Sequence, residues 1–426
     1  MRTLLCLLLP VLLSACEREP SATTVTFWAM GREGERVQSL VPAFERQNPG
    51  IQVNVQQIPW SAAHEKLLTA FAGDALPDVV QLGNTWVPEF VALGALEALD
   101  GRLGVSTQVE DFFAGILDTS RLEGRLYGIP WYVDTRLIFY RKDRLAAAGY
   151  DQPPRTRREW LDLMARLKAL PGAAHYPLLL PMNEWQLPVI LALQTGAELL
   201  SDGGRHGHFQ GQGFRDAFAF YLDLFRQGYA PAVAEAQIAN LYREFSRGYF
   251  ALYITGPWNI GEFERRLPPE MADRWDTAVL PGPSDQDSGP GLSLAGGASL
   301  GLARSSRHQA AALRWMDYLA QPAQQAAFYR LSGDLPARQS AWALPELATA
   351  PHIAAFRQQL DHVVATPKIP EWERIAAKLS HYAEKAVRGE MSEAQALAAL
   401  DADVERILAK RRWLLDRVAP SGAVRP

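Results

Sequence analysis

Two cysteines occur in 426 residues, Cys6 and Cys16, and both sit at the head of the chain. Beyond residue 16 there is no thiol, which excludes a disulfide framework, a thiolate metal site and a cysteine nucleophile. Excess positive charge is missing too. Lys and Arg number 43 against 47 Asp and Glu, a formal net charge of −4, so no basic footprint points to nucleic acid. Past the head of the chain no apolar run is long enough to span a bilayer. Internal repeats are also lacking. What is present is ordinary globular composition, 48% hydrophobic and 21% charged, at a length that suits two or three domains.

Residues 1–15 read as a removable signal peptide. Arg2 supplies the charged start, residues 4–13 the apolar stretch, and Leu13-Ser14-Ala15-Cys16 the close. Small residues before a cysteine resemble the bacterial lipobox. That resemblance implies that Cys16 becomes the lipidated first residue of an exported chain, with residues 16–24 as a polar tether to the bilayer.

The mature chain then alternates strand and helix. Thr24-Val25-Thr26-Phe27-Trp28 is a first strand, residues 33–47 a helix, and Ile51-Gln52-Val53-Asn54-Val55 a second strand. Ser61 is placed to cap a further helix, and residues 77–82 form a short apolar strand of the buried parallel kind. This is the start of a doubly wound α/β fold. Thr156 and Glu159 make a capping box for a helix whose apolar stripe is Trp160, Leu163, Met164 and Leu167, so Trp160 belongs to a core. Trp315 reads the same way. Residues 281–291, rich in Pro and Gly, are the plainest linker.

The stretch 250–263, FALYITGPWNIGEF, is the most pointed. An apolar strand breaks at Gly256-Pro257 and delivers Trp258 and Asn259 at its C-terminal end, where open α/β sheets present ligand contacts. An indole face suits the C–H face of a sugar ring, and an amide suits its hydroxyl edges.

An ordered series carries a wider resemblance. It runs from the Cys16 start through Phe44-Glu45-Arg46-Gln47-Asn48-Pro49-Gly50-Ile51, then Pro77-Asp78-Val79 four residues after Gly73. It continues through Leu96, Leu99 and Asp100 after Gly94, then Gly128-Ile129-Pro130, Gly256-Pro257-Trp258 and Gly296-Gly297. The series resembles the extracellular solute-binding proteins of ABC sugar importers, of the maltose and trehalose type. The resemblance implies two α/β lobes, each a mostly parallel sheet flanked by helices, joined by a hinge of about three crossings. Lobe 1 would be 24–133 plus 285–335, lobe 2 would be 134–284 plus 336–415, and 416–426 a tail.

It further implies contacts on strand-end loops facing the cleft. In lobe 1 these are Arg32, Glu33, Trp60, Asn84, Thr85 and Trp86. At the first crossing they are Trp131, Tyr132 and Asp134. In lobe 2 they are Asn183, Glu184, Trp185, Trp258, Asn259 and Trp372, with Gly296, Gly297 and Arg338 nearer the hinge. The loop after the third strand, Gly83-Asn84-Thr85-Trp86, lacks the carboxylate that many oligosaccharide binders carry there. The implied ligand is a disaccharide or short oligosaccharide, with an α-glucoside such as maltose or trehalose as an example. The implied partners are that sugar, ABC permease subunits in the inner membrane, and the bilayer through acylated Cys16. The expected place is the periplasm or cell surface and the expected state a monomer, with no cofactor and no metal.

Asp134 and Glu184 could form a glycosidase pair, which needs about 5–9.5 Å between carboxyls, but nothing marks an acid of raised pKa. His206-Gly207-His208 reads as a solvated loop rather than a metal site. A ferric or polyamine binder shares the lobed fold but wants a Tyr pair or several carboxylates, and the 12 Trp favour sugar. No catalysis is expected.

Overall fold

The structure, a computed structural model, describes residues 22–104, 107–171, 175–234, 237–238, 240–287 and 289–418. The signal peptide, Cys6, Cys16 and the end of the tail lie outside the described residues.

Among the described residues lobe 1 is built on a sheet of six strands. Thr23–Met30 stands next to the edge, paired in parallel with the edge strand Ile51–Ile58 on one side and with Val79–Gly83 on the other. Strand alternation decides which side chains go where. Val25, Phe27 and Ala29 enter one buried layer with Phe44, Trp131 and Trp315, while Met30 and Trp28 join Ile58, Leu67 and Phe90 on the opposite face. Gly296–Leu302 pairs antiparallel with Val79–Gly83, then Ile129–Asp134 with Gly296–Leu302, and Leu335–Pro336 with Ile129–Asp134. The parallel expectation therefore holds at the first three strands and gives way at the hinge. A chain that leaves a lobe on one strand and returns on its neighbour must pair antiparallel with itself.

Among the described residues lobe 2 has a four-stranded sheet in the order Trp275–Ala278, Leu137–Arg141, Phe250–Thr255, Tyr176–Leu179. The expected parallel pairing holds only between the last two strands, and Leu137–Arg141 runs antiparallel to both of its neighbours. Phe250–Thr255 is buried at every position, which is why it reads as an unbroken apolar run. Helix Arg157–Ala169 buries the predicted stripe of Trp160, Leu163, Met164 and Leu167, and the Thr156 hydroxyl accepts from the Glu159 N–H at 3.2 Å. Ser392 and Gln395 cap helix Glu393–Val418 reciprocally, so the helix runs past residue 416, where the tail was expected to begin.

Four local readings change. The helix expected over 33–47 is three pieces, Gly31–Arg36, Val37–Leu40 and Val41–Gln47, because Pro42 has no N–H to continue the ladder. Ser61 is not a cap; helix Trp60–Ala72 starts two residues earlier than a Ser61 cap would set it, behind extended Pro59. Residues 281–291 do not cross between lobes. Gly282 bonds to Arg155 and Arg157, and Gly291 donates to Leu280 O at 2.8 Å, which folds the segment back on lobe 2. The return to lobe 1 comes later, at Ser293–Leu294 and Gly296–Leu302. Nor does the chain leave lobe 1 at Pro336. Phe113 N–H donates to Ala337 O at 3.3 Å and the Trp342 ring packs edge-on to Phe113. Lobe 2 is reached by His352, whose ring stacks on Trp275 at 3.8 Å.

Candidate functional site

Between the lobes lies a cleft of about 510 Å³. Its floor is the crossing strands. Ile129–Asp134 and Gly296–Leu302 approach closely there because Gly297 stands at φ +112°, and a Cβ on it would sit 2.3 Å from Tyr132 O. Gly256 does the same for lobe 2. A Cβ there would meet the Trp258 ring at 1.8 Å, so glycine lets that indole fold back over the strand end.

Twelve of the eighteen expected ligand-contact residues line this cleft: Arg32, Glu33, Trp60, Asn84, Thr85, Trp86, Tyr132, Asp134, Trp185, Trp258, Gly296 and Gly297. Three more, Asn183, Glu184 and Asn259, line a side pocket of about 400 Å³ in lobe 2 that shares Trp185 and Trp258 with the cleft. The remaining three are elsewhere. Trp131 is in the lobe 1 interior, stacked on Phe328 at 4.5 Å. Since Tyr132 faces the cleft, alternation sends its neighbour the other way. Trp372 is fully buried in lobe 2, where its ring props Trp185 edge to face at 5.5 Å. Arg338 is buried against Asp111, with Nε 2.6 Å from Oδ2, and lies over the Phe112 ring. It fixes residues 338–340 to lobe 1 rather than reaching a ligand.

The lobe 1 wall is aromatic and acidic. Trp60 packs edge to face on Trp86 at 5.6 Å and donates from Nε1 to Glu33 Oε2 at 3.2 Å. The Tyr132 hydroxyl donates to Glu33 Oε1 at 3.3 Å and accepts from Gln81 Nε2 at 3.0 Å. Burial raises the Glu33 pKa despite the hydrogen bonds it accepts. Asp334, which the sequence reading passed over, also faces the cleft. Burial first, and then the negative charge of Glu33, push its carboxyl up to about 7. Asn84 lines the cleft, but its amide is engaged within lobe 1. It donates to Gly296 O at 2.9 Å and accepts from the Ser299 hydroxyl at 3.0 Å.

The lobe 2 wall turns on Arg136, another residue not singled out in sequence. Its guanidinium bonds both oxygens of Asp134 at 3.0 and 3.2 Å, places Nε 3.4 Å from Glu184 Oε1, and lies 4.6 Å from the centre of the Trp258 ring. Gln186, turned to satisfy both neighbours, donates to Glu184 at 3.1 Å and accepts from Arg136 at 3.2 Å. Burial raises the Asp134 pKa, and the guanidinium holds that rise in check. Asp134 and Glu184 are thus spanned by one cation instead of flanking open space, as a glycosidase pair must. Strand period two offered a signal for Arg136, two residues beyond Asp134. Asp334 and Thr366 had none, since only the tertiary fold brings them to the cleft.

One lobe-to-lobe ion pair crosses the mouth, Arg32 Nη1 to Glu262 Oε1 at 3.8 Å. His206 Nδ1 lies 3.1 Å from Glu405 on the last helix. Among the described residues no group of His, Cys, Asp and Glu could hold a metal ion, and no helix is long and apolar enough to cross a membrane.

The model of the family "Bacterial extracellular solute-binding protein" matches residues 30–326. The chain resembles the sugar-binding protein MalE from Xanthomonas citri at 49% identity and a TM-score of 0.88, over 92% of this chain and 99% of that one. The fold is also that of the GacH receptor of Streptomyces glaucescens, 24% identical with a TM-score of 0.78 over 91% and 99% of the two chains. The diacetylchitobiose binding protein DasA of Streptomyces coelicolor is 25% identical over 83% of this chain and 81% of its own length.

Proposed function

The chain belongs to the bacterial extracellular solute-binding proteins, and on that premise we propose that it captures a disaccharide or short oligosaccharide and delivers it to a membrane ABC permease. One observation carries this reading. Four indoles, Trp60 and Trp86 from lobe 1 and Trp185 and Trp258 from lobe 2, converge on one cleft with Glu33, Asp134 and Arg136 between them. Stacking surfaces interleaved with charged hydrogen-bonding groups match the two kinds of surface on a pyranose. The volume falls within the range of about 300–1,000 Å³ that small-molecule sites occupy. MalE of Xanthomonas citri is described as sugar-binding and DasA as binding diacetylchitobiose, which supports a carbohydrate. Maltose and trehalose are the α-glucosides to test first.

Family members are solute-binding proteins rather than enzymes, and the function proposed involves no chemical step. Closure of the lobes on the sugar would create the surface read by the permease. Export with lipidation at Cys16 would hold the protein, as a monomer, on a membrane facing the periplasm or cell surface. Cys16→Ser should then release it into the fraction not sedimented with membranes, and its continued pelleting would end the anchor proposal. For the ligand, calorimetry against maltose, trehalose, chitobiose and galactosides should give saturable binding to at least one. Absence of binding to any of them would sink the carbohydrate reading.

One feature favours a second reading. Glu33, Asp134 and Asp334 all face the cleft, as a polyamine site would require. That reading predicts spermidine binding in place of sugar.

A further inference from the structure

Three carboxylates line the cleft and a fourth, Glu184, lines the adjoining side pocket. Left to themselves they would make a site for ammonium groups. Two cations oppose them, and they differ. Arg32 sits at the mouth with 41% of its side chain exposed, against Glu262 of the other lobe. Arg136 is 14% exposed and lies on the partition between cleft and side pocket. Its Nη1 donates to both oxygens of Asp134, its Nε faces Glu184, and the guanidinium lies over the Trp258 indole. The phenol of Tyr253, from Phe250–Thr255, also acts on it, and the charge of Asp134 is felt by Asp334 across the cleft. A guanidinium keeps its charge across the physiological range, so this neutralisation does not switch off.

Resting on the carbohydrate reading above, we infer that Arg136 sets the selectivity of the cleft. It balances Asp134 and Glu184 so that neutral, hydroxyl-rich ligands enter and amine-bearing ones do not, and it positions Trp258 to present one indole face. Hydroxyl donors are then accepted by carboxylates that the guanidinium already balances. The bound cation removes the reason for an ammonium to displace them. With Arg136 gone, two partly buried carboxylates would face each other unbalanced, and the ring would lose the plane it lies against.

The test uses Arg136→Met, which keeps the stem and loses the charge, and Arg136→Lys, which keeps the charge and loses the fork. Each is titrated by calorimetry with maltose, trehalose, fully deacetylated chitobiose and spermidine, at about pH 7.5 and about pH 5. The wild type is expected to bind a neutral sugar and refuse both amines. Arg136→Met should lose neutral-sugar affinity by about tenfold or more at the higher pH and acquire amine binding. Part of the sugar loss should return at the lower pH, where the unbalanced carboxyls take up protons, a recovery that a purely structural defect would not show. Arg136→Lys should still refuse amines while binding sugar more weakly than the wild type. The inference is overturned if Arg136→Met keeps sugar affinity within about twofold at both pH values and still refuses amines. Amine binding by Arg136→Lys as strong as that of Arg136→Met overturns it equally. Should Arg136→Met fail to fold, the double variant Arg136→Met with Glu184→Gln takes its place. It removes one of the two carboxylates that Arg136 balances but leaves Asp134 unopposed, so it should still bind spermidine where the wild type does not; refusal of spermidine by it overturns the charge argument. If the wild type binds none of the neutral sugars, the carbohydrate reading falls by itself. Spermidine binding then decides the charge role: gained in Arg136→Met it stands, and absent there it falls.

Discussion

The two walls of the cleft hold their carboxylates in opposite ways. On the lobe 1 wall, the cation that acts on both Glu33 and Asp334 is the part-exposed Arg32 at the mouth. Hydrogen bonds from Trp60 and Tyr132 support Glu33, and burial, then the charge of Glu33, pushes Asp334 up to about 7. On the lobe 2 wall, Asp134 and Glu184 share Arg136, and the same guanidinium braces Trp258. The aromatics follow suit. Trp60 and Trp86 lean on each other, whereas Trp185 leans on the buried Trp372. The difference teaches that a carboxylate in a cleft is defined by what was buried with it. Paired with a cation it is a fixed acceptor; paired with another acid it is a proton store.

The largest expected effect attacks the prop beneath lobe 2. Trp372→Ala empties a fully buried site and should destabilise the fold by about 3–5 kcal/mol in chemical denaturation, with Trp185 loosened as a consequence. A loss below about 1 kcal/mol would return Trp372 to the cleft. Next comes the wall itself. Trp258→Ala should weaken sugar binding by about 1–3 kcal/mol in calorimetry while leaving the unfolding midpoint nearly unchanged, because 42% of that residue is already exposed. Unchanged affinity would remove Trp258 from the site.

The proton store on lobe 1 gives the third. The Asp334 pKa is raised from 3.8 to about 7, so the folded state holds a proton that the unfolded chain releases. Stability from this group is therefore full below about pH 4 and lost as pH rises towards 7. Raising the pH from about 5 to about 8 should lower the melting temperature. Asp334→Asn should flatten that slope and raise the midpoint at pH 8 by on the order of 2 °C. An unaltered slope in the variant would show that Asp334 is not the group titrating. The smallest effect is at the mouth. Arg32→Ala breaks a half-exposed pair with Glu262 and should cost about 0–1 kcal/mol, fading at high salt.

Much of this was legible before any coordinates. Alternating strands and helices, the Thr156 capping box, and the core roles of Trp160 and Trp315 all follow from patterns a few residues long, while the two lobes came from the resemblance that the ordered motifs carry. So does Trp258, because Gly-Pro stops a strand and leaves the next residue at its end. Trp131, Trp372 and Arg338 were misplaced for one reason. An aromatic or cation next to a strand or helix end carries no local sign of which face it will take. The 281–291 segment misled likewise, since a Pro-Gly composition marks a turn without saying what the turn packs against.

The chain by itself determined its periodicities, caps and breaks, because those depend on backbone torsions and on neighbours three or four positions away. Only the tertiary structure decided that Arg136 would stand between Asp134 and Glu184, and that Asp334 would face Glu33. Burial and charge balance at a cleft are sums over segments hundreds of residues apart, and the free energy of each ionised group exists only once those segments have closed around it.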